Sequence, residues 1–383
     1  MIKKTIAAAV AAAVIMVGVG TIQVNAVPGK DLQILPIIVN GQKVRFPDTE
    51  PYVNTDGRTM VPVRFVSEML GADVTWENST QTAIIQYEGK TIRMPIGSNT
   101  VTVDGAAEEL DTAAEMYEGR TMVPLRFVSE VLDSKVEWDA GAHSVKVTDA
   151  KYQAKVDTGE VKLDPWGREY SKTQDDKWFR LADLETVGFY DFYSKTATTS
   201  RTFIEDRSNT YVSTGNVLAS KIRNYYAVQL NVDYRTIDEK AFTKAFMNSA
   251  SGRITKNSYL EGQFEETIKR YVKWVKDNKV ITKGYADPEL SAVHGIGTSV
   301  WIPTHFKFII ISAKDSNQAF LDSWDVSSLS DAVKLKTGVW YDGYSDVRMN
   351  SVVAEATWGE DHGIANFENM FVKDIYFYNM SVK

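Results

Sequence analysis

The apolar and polar positions of residues 57–70 form a pattern that occurs again 62 residues later, at 119–132. Both copies begin Gly-Arg-Thr-Met-Val-Pro, continue through Arg-Phe-Val-Ser-Glu and end in leucine. A short β-prone run precedes each proline, and the apolar residues after it recur at the spacing of one helical face. The pattern predicts a strand in each copy, followed directly by a short helix that begins at the proline. Gly71 predicts the end of the first helix, and Asp133, which adopts the left-handed conformation less readily, takes that place in the second. Residues 34–149 therefore contain two copies of one structural unit.

The residues after each predicted helix alternate between apolar and polar, as β-strands do. Glu88-Gly89 predicts a hairpin turn in the first copy. A tryptophan recurs at the same place in both copies, and we expect both rings to be buried core anchors. The repeated arginines within the helices are expected to make an ion pair or a carbonyl contact, with an anion site as the alternative. The repeated residues to which we assign a structural role are Arg58, Pro62, Arg64, Trp76, Arg120, Pro124, Arg126 and Trp138.

The C-terminal part of the chain has helical patterns first and strand-like patterns afterwards, which indicates the α+β class. We expect a domain at 166–383 in which helices pack on an antiparallel sheet, with a cone-like sheet as one candidate arrangement. The polar segment at 150–165 predicts a linker that few contacts cross, so that the two halves fold separately. The apolar stripes lie at 217–228, 241–246 and 264–275, and the strand-like runs at 280–285, 300–311, 338–341, 352–358 and 371–380.

The N-terminal residues 1–26 have the three parts of a secretory signal peptide. Lys3 and Lys4 supply the positive charge, residues 5–22 are apolar, and Val24-Asn25-Ala26 offers small residues for cleavage. A retained membrane anchor is the alternative, because 18 apolar residues are barely enough to span a bilayer. We expect removal of the segment, no membrane span afterwards, and a secreted, extracellular protein that associates with the cell wall.

The overall charge and the absence of cysteine narrow the function classes. A net charge of −7 and a pI near 5.4 argue against a nucleic-acid partner, which needs clustered basic residues. The absence of cysteine excludes disulfides, thiol catalysis and zinc sites with thiolate ligands. A secreted chain without disulfides is more usual outside a Gram-positive cell than in a eukaryotic secretory route.

The runs at 57–66 and 119–128, together with the two tryptophans and Ile96-Gly97-Ser98, resemble the copper amine oxidase N-terminal-like domain. This module is also called a stalk domain, and the resemblance covers about residues 34–149. It implies a secreted or cell-surface protein of a Gram-positive bacterium. In copper amine oxidases the module sits apart from the catalytic centre, so the resemblance does not imply an oxidase.

A copper amine oxidase also needs three histidine ligands and a tyrosine within Asn-Tyr-Asp/Glu. The nearest match, Asn224-Tyr225-Tyr226, lacks the acid, and the sequence contains no His-x-His. His294 and His305 with one acid form an alternative transition-metal site, although lone histidines are more often core or surface residues. We therefore expect no cofactor and no stoichiometric copper.

The hydrolase motifs Gly-x-Ser-x-Gly, Ser-x-x-Lys and His-Glu-x-x-His are also absent from the sequence. Two acidic patches are weak candidates for a polar cluster that could perform acid–base chemistry, and the patch with Asp342 and Asp346 could alternatively bind calcium. Because both patches contain or adjoin glycine, we interpret them as turns between strands. The candidate residues are Asp342, Asp346, Glu360, Asp361 and His362.

These features favour a non-enzymatic protein of the bacterial cell envelope. The stalk-like repeats would present a C-terminal domain that binds a cell-wall polymer or an envelope protein. One alternative is an extracellular envelope hydrolase with a carboxylate-based site in the C-terminal domain. The other is a soluble protein that binds a small ligand in a pocket.

Overall fold

The structure is a computed structural model that describes residues 35–193, 208–255, 257–296, 299–315, 335–350 and 363–365. The predicted signal peptide lies outside these residues. So do the predicted strands at 352–358 and 371–380, and three of the candidate residues, Glu360, Asp361 and His362.

The N-terminal part is rich in strands, with one short helix after each repeated proline. Its strands are β1 (Ile37–Val39), β2 (Gln42–Lys43), β3 (Tyr52–Val53), β4 (Thr59–Pro62), β5 (Asp73–Glu77), β6 (Thr82–Tyr87), β7 (Lys90–Pro95), β8 (Thr100–Val103), β9 (Ala106–Glu109), β10 (Glu115–Tyr117), β11 (Arg120–Pro124), β12 (Ser134–Asp139) and β13 (Ser144–Asp149). Its helices are α1 (Val63–Met69), α2 (Leu125–Val131) and α3 (Ala150–Asp157).

The two copies meet about a local two-fold axis. Strands β4 and β11 pair antiparallel, with Val61 opposite Val123 and Met60 opposite Pro124. Equivalent residues are 62 positions apart, so Val61 lies opposite Val123, its own equivalent. Met60 lies opposite Pro124, which is the equivalent of Pro62. This reciprocal pairing is the pattern of a symmetric dimer, here within one chain. The predicted repeat is confirmed, and its copies share one sheet of order β10-β11-β4-β3.

The other two sheets of this part each combine strands from both copies. The hairpin of β1 and β2 from the first copy adds to β13 of the second, and the corresponding hairpin of β8 and β9 adds to β7 of the first. Asn40-Gly41 and Asp104-Gly105 turn these hairpins with positive φ at both residues, as a tight two-residue turn requires. One apolar core fills the space between the sheets and helices. Neither copy is complete without the other.

The predicted ends of the helices are confirmed. Gly71 and Asp133 follow the last turns of α1 and α2 with φ of +87° and +51°. Asp133 therefore takes the left-handed conformation that glycine takes in the first copy, although an aspartate adopts it less readily. The predicted hairpin at Glu88-Gly89 is also confirmed, since β6 and β7 flank those two residues.

The C-terminal part confirms the α+β class. Its helices are α4 (Ala182–Glu185), α5 (Phe189–Tyr193), α6 (Ser208–Gln229), α7 (Glu239–Ser249), α8 (Gly252–Thr255) and α9 (Ser258–Asn278). Its strands are β14 (Ile281–Pro288), β15 (His294–Ile296), β16 (Ser299–Ser312) and β17 (Trp340–Asn350), all antiparallel, with β14 and β17 on opposite sides of β16.

One face of this sheet is apolar and packs on the helices. Ile302, Phe306 and Phe308 alternate along β16 and are fully buried. The Phe306 ring meets the Tyr226 ring of α6 edge to face, with 4.8 Å between centroids. Since side chains alternate between the two faces of a strand, the residues between these positions point away from the helices.

The segment predicted as a linker contains helix α3, which Asp149 caps by accepting a hydrogen bond from the Tyr152 amide at 2.7 Å. Beyond it, the chain lies against strand β2. The Gly41 carbonyl accepts from the Glu169 amide at 2.8 Å, and Asp183 accepts from the Lys43 amide at 2.9 Å. The expectation that few contacts join the two halves is therefore not met.

Among the described residues, no helix combines the length and the apolar character that crossing a membrane requires.

Candidate functional site

The polar face of the C-terminal sheet carries the candidate residues that the structure describes. Asp342 and Asp346 lie within the long strand β17, so the interpretation of this patch as a turn is wrong. Each carboxylate lies close to a histidine: His305 Nε2 is hydrogen-bonded to Asp342 Oδ1 at 2.7 Å, and His294 Nε2 lies 3.2 Å from Asp346 Oδ2. The two histidines that could have shared a metal therefore belong to separate His–Asp pairs.

The repeats cover this polar face. Arg45 donates to the Tyr344 hydroxyl at 2.6 Å, and Tyr344 lies between the two aspartates on the same side of β17. Lys307 on β16 donates to Glu50 Oε1 at 2.6 Å and to the Phe46 carbonyl at 2.5 Å. Lys307 is only 1% exposed. The face that alternation alone would assign to solvent is buried against the N-terminal part.

A second group of buried charges extends the contact between the two halves, which we call the junction. The Lys43 ammonium lies 2.6 Å from Asp287 and 3.1 Å from Glu289. Arg168 pairs with Asp183 at 2.7 Å and also contacts Glu289. All five side chains are at most 11% exposed. Together with the residues that cover the polar face, these charges form what we call the junction network: Lys43, Arg45, Glu50, Arg168, Asp183, Asp287, Glu289, His305, Lys307, Asp342 and Tyr344.

Burial and neighbouring charges shift the pKa values of the network carboxylates in different directions. Burial would raise the pKa of Glu289, but the charges of Arg168 and Lys43 outweigh it and lower that pKa to about 2. Burial likewise opposes ionisation of Asp342, yet its hydrogen bond with His305 leaves the pKa below its ordinary value. For Glu50, burial dominates and raises the pKa despite the charge of Lys307.

The geometry of the two aspartates does not match a carboxylate pair that works on one bond. Four residues of extended strand place Asp342 and Asp346 about 13 Å apart along the backbone. Paired glycosidase carboxylates are about 5–10 Å apart and flank the same scissile bond. Both histidine–aspartate contacts lie within the C-terminal sheet. The contacts on this face that join the two halves are made by Tyr344 and Lys307.

Two small cavities lie within the junction. The larger, of about 40 Å³, is lined by residues from both halves, among them Ser144, Arg223 and Asp287. The other, of about 20 Å³, adjoins Glu50, His305 and Asp342. These volumes suit a few water molecules, whereas pockets for drug-sized ligands measure about 300–1,000 Å³. Among the described residues, no group of three or more histidine, aspartate and glutamate side chains could hold a metal ion.

The expectation that both repeat tryptophans are buried is wrong. Trp76 is 37% exposed and Trp138 is 52% exposed. Val74 and Val136, two residues earlier on the same faces of β5 and β12, do pack against the core. Helix α1 has seven residues and is about 10 Å long, while the five residues of β5 extend about 17 Å. The helix therefore covers the start of the strand and leaves the tryptophan at its end uncovered.

Two of the repeated arginines, Arg58 and Arg120, form reciprocal contacts between the copies. Arg58 of the first copy pairs with Asp111 of the second at 2.5 Å, and Arg120 of the second pairs with Asp48 of the first, with its Nε 3.0 Å from Asp48 Oδ1. Arg64 pairs within its own helix with Glu68 at 3.7 Å. Pro62 and Pro124 take the N-cap position of α1 and α2, one residue before the predicted position. Arg126, the equivalent of Arg64, is exposed.

Comparison with known proteins identifies the N-terminal segment. Residues 38–147 match the family model of the copper amine oxidase N-terminal domain. This match covers a segment of the chain and confirms the resemblance seen in the repeats. The N-terminal domain of copper amine oxidases is non-catalytic.

A protein from Brevibacillus choshinensis named "Protease inhibitor" is 26% identical to this chain over 150 residues. The aligned part is 39% of this chain and 44% of that protein, so this chain spans less than half the length of that curated relative. No solved structure matches the chain.

Sequence reasoning missed most of the junction network. Its residues are scattered from Lys43 to Tyr344 and form no motif. One signal was available: Lys307 interrupts the apolar run of β16 and shares the outward positions of the strand with His305. Alternation of this kind is equally typical of a solvent-exposed face, because only the packing of another domain distinguishes the two.

The junction network should make stability fall in acid. The folded-state pKa of Glu289 is about 2, below its ordinary value of 4.5, so the unfolded chain binds this proton first. The stabilisation is present above about pH 4.5 and is lost as the pH falls towards about 2; Asp342 acts in the same direction. Glu50, whose pKa is raised, acts in the opposite direction, so the contribution of Glu289 must be isolated by substitution.

Glu289→Gln should therefore be less stable than the wild type at neutral pH and lose less stability between about pH 5 and pH 2.5. The free energy of unfolding, measured by urea denaturation across this range, checks the prediction. Glu265→Gln, on the exposed face of α9, is the control and should follow the wild-type pH profile. Parallel profiles for the wild type and Glu289→Gln would contradict the prediction.

Proposed function

We propose that this protein is a non-enzymatic binding protein of the extracellular cell envelope. The observation that carries the proposal is that the repeats cover the polar face of the C-terminal sheet. Asp342 is hydrogen-bonded to His305, Asp346 lies 3.2 Å from His294, and residues of the repeats cover the face between the two aspartates. The face on which an envelope hydrolase would present these carboxylates to its substrate is instead covered by the other half of the chain.

Two further observations support the proposal. The N-terminal segment matches a domain that is non-catalytic in copper amine oxidases, and its repeat resembles modules of secreted Gram-positive proteins. Residues 1–26 have the features of a secretory signal peptide. At the junction, the cavities of about 40 and 20 Å³ are too small for a drug-sized ligand.

The partner that we propose is a polymer of the cell wall. The test uses the chain from residue 27 onward, mixed with purified Gram-positive cell wall from which proteins have been removed. We expect the protein to sediment with the wall in a saturable manner and to remain in the supernatant without it. Recovery in the supernatant at every wall concentration would contradict the wall-binding part of the proposal.

A second candidate function is binding to a peptidase, which the similarity to the Brevibacillus choshinensis protein favours. The same preparation is assayed against a panel of secreted serine, cysteine and metallopeptidases. Stoichiometric inhibition of one peptidase, together with no wall binding, would replace the polymer with a protein partner. Wall binding and peptidase inhibition are both compatible with a non-enzymatic protein. Hydrolysis of the wall during the sedimentation test would contradict the proposal that the protein is not an enzyme.

A further inference from the structure

Strand β12 of the second copy is an edge of its four-stranded sheet. The sheet has the order β12-β13-β1-β2, and within the part of the chain that the structure describes, β12 pairs with β13 alone. The C-terminal half lies against the opposite edge, where the Glu169 amide donates to the Gly41 carbonyl between β1 and β2. The outer side of β12 therefore offers backbone groups with which a further strand can pair.

The side chains of β12 alternate between a charged face and a partly apolar one. Lys135 and Glu137 are exposed on one face, with 2.5 Å between the ammonium and the carboxylate. Val136 and Trp138 lie on the other face, where Val136 packs against the core and Trp138 is 52% exposed. Two copies of this strand related by a two-fold axis pair antiparallel, and one residue then lies opposite its own copy.

The charges select the register in which that residue is Val136. In this register Lys135 lies opposite Glu137 of the partner subunit, and by symmetry Glu137 lies opposite Lys135 of the partner subunit. A register centred on Lys135 or on Glu137 places two like charges directly opposite each other, and one centred on Trp138 places Glu137 opposite Asp139. Opposite charges across a strand pair stabilise it, and like charges destabilise it.

The exposed indole fits the same register. Trp138 lies opposite Ser134 of the partner subunit, whose small side chain leaves room for the ring. The partner strand also covers part of the indole that the seven-residue helix α2 leaves exposed. Removing this apolar surface from water favours the contact, in addition to the charge pairs and the backbone hydrogen bonds.

We propose that the protein forms a two-fold symmetric homodimer in which β12 pairs antiparallel with β12 of a second copy, centred on Val136. The contact joins the two four-stranded sheets into one and leaves the C-terminal halves at its outer edges. Because each copy uses its only β12, the contact closes on itself and assembly stops at the dimer. A contact of one short strand predicts a weak dimer that dissociates on dilution. The inference does not depend on the proposed function.

The equivalent strand of the first copy lacks this complementarity. β5 is also the edge of its sheet, but its charged residues, Asp73 and Glu77, are both acidic. Asp73 occupies the position of Lys135, 62 residues earlier. No register of β5 against a second β5 therefore pairs opposite charges. Exposed acidic residues of this kind are a means by which edge strands avoid pairing.

The experiment measures the dissociation constant of the dimer by sedimentation velocity on the chain from residue 27 onward, over a range of micromolar concentrations. Lys135→Glu and Glu137→Lys should each weaken the dimer by about tenfold or more, because each change makes both cross-strand pairs repulsive. An equimolar mixture of the two variants should dimerise as tightly as the wild type. In the mixture one chain carries acidic side chains at both positions and the other carries basic ones. The double variant Lys135→Glu/Glu137→Lys should also dimerise, because the swap restores opposite charges.

The matched control is Asp73→Lys, which makes the same change of charge as Glu137→Lys at the edge of the other sheet. It should dimerise as the wild type does. A wild type that remains monomeric throughout the concentration range would overturn the proposal. Single variants that dimerise as tightly as the wild type would overturn it as well, because another surface would then form the dimer. The mixture distinguishes a lost contact from a misfolded variant, since only folded chains can restore the pairing, and failure of the mixture to dimerise would contradict the register.

Discussion

Replacing Arg168 with alanine should destabilise the protein by about 3–5 kcal/mol, the cost of removing one partner from a buried ion pair. The guanidinium contacts Asp183 and Glu289, and all three side chains are at most 7% exposed. Without Arg168, the Asp183 carboxylate must remain charged away from water or take up a proton. The measurement is the free energy of unfolding at neutral pH from urea denaturation, followed by tryptophan fluorescence.

The matched control is Arg64→Ala. Arg64 also lies near a carboxylate, at 3.7 Å from Glu68, but both side chains are about half exposed. Its removal should cost about 0.5 kcal/mol or less, because water replaces the lost contact. The free energy of unfolding of Arg168→Lys should lie between those of the wild type and the alanine variant, since a lysine keeps the charge but loses the planar guanidinium group. An Arg168→Ala cost no larger than that of the control would show that the junction network adds no stability.

Replacing Lys307 with methionine should cost a similar amount, about 3–5 kcal/mol, since it leaves Glu50 in the junction without its cation. The Lys307 side chain is 1% exposed and that of Glu50 is 13% exposed. Methionine fills a similar volume, so the measured loss reports the missing charge and not a cavity. The double variant Lys307→Met/Glu50→Gln removes both charges and should recover most of the loss, because neutral replacement of a buried pair is often close to neutral in stability.

Lys283→Met provides the comparison on the same sheet face. Lys283 also reaches the other half of the chain, 2.8 Å from Glu118, but its side chain is 25% exposed and its partner 38%. We expect a loss of about 1 kcal/mol or less there. If the Lys307 and Lys283 variants lose equal stability, or if the double variant is as unstable as Lys307→Met, the argument from burial is wrong.

The local structure of the repeats could be read from the sequence because adjacent residues determine it. Proline placed before an apolar stripe predicted the start of each helix, and Gly71 predicted the end of the first. The two-residue turn at Glu88-Gly89 and the order of helices and strands after residue 166 followed from the same short-range rules. The repetition itself predicted two equivalent units. These features depend on local backbone preferences and on periodicity, and both can be inferred from neighbouring residues in the sequence.

The tertiary structure alone decided which polar residues are buried. Along β16 the sequence alternates His305, Phe306, Lys307 and Phe308, a pattern that fits a sheet with one face in water. Only the packing of Arg45 and Glu50 from the repeats converts the polar face into a junction. Those residues lie more than 250 positions away, so no local pattern predicts the contact.

The two repeated tryptophans also show which properties follow from the sequence and which depend on the tertiary structure. Their equivalence was evident in the sequence, and their burial was the natural expectation for a repeated aromatic residue. Their exposure depends on how far a seven-residue helix reaches along a strand, and on which strand ends at the edge of a sheet. The sequence by itself thus determined the elements and their repetition. The tertiary structure decided which faces meet, because burial is a property of the surfaces that come together and not of the residues that carry them.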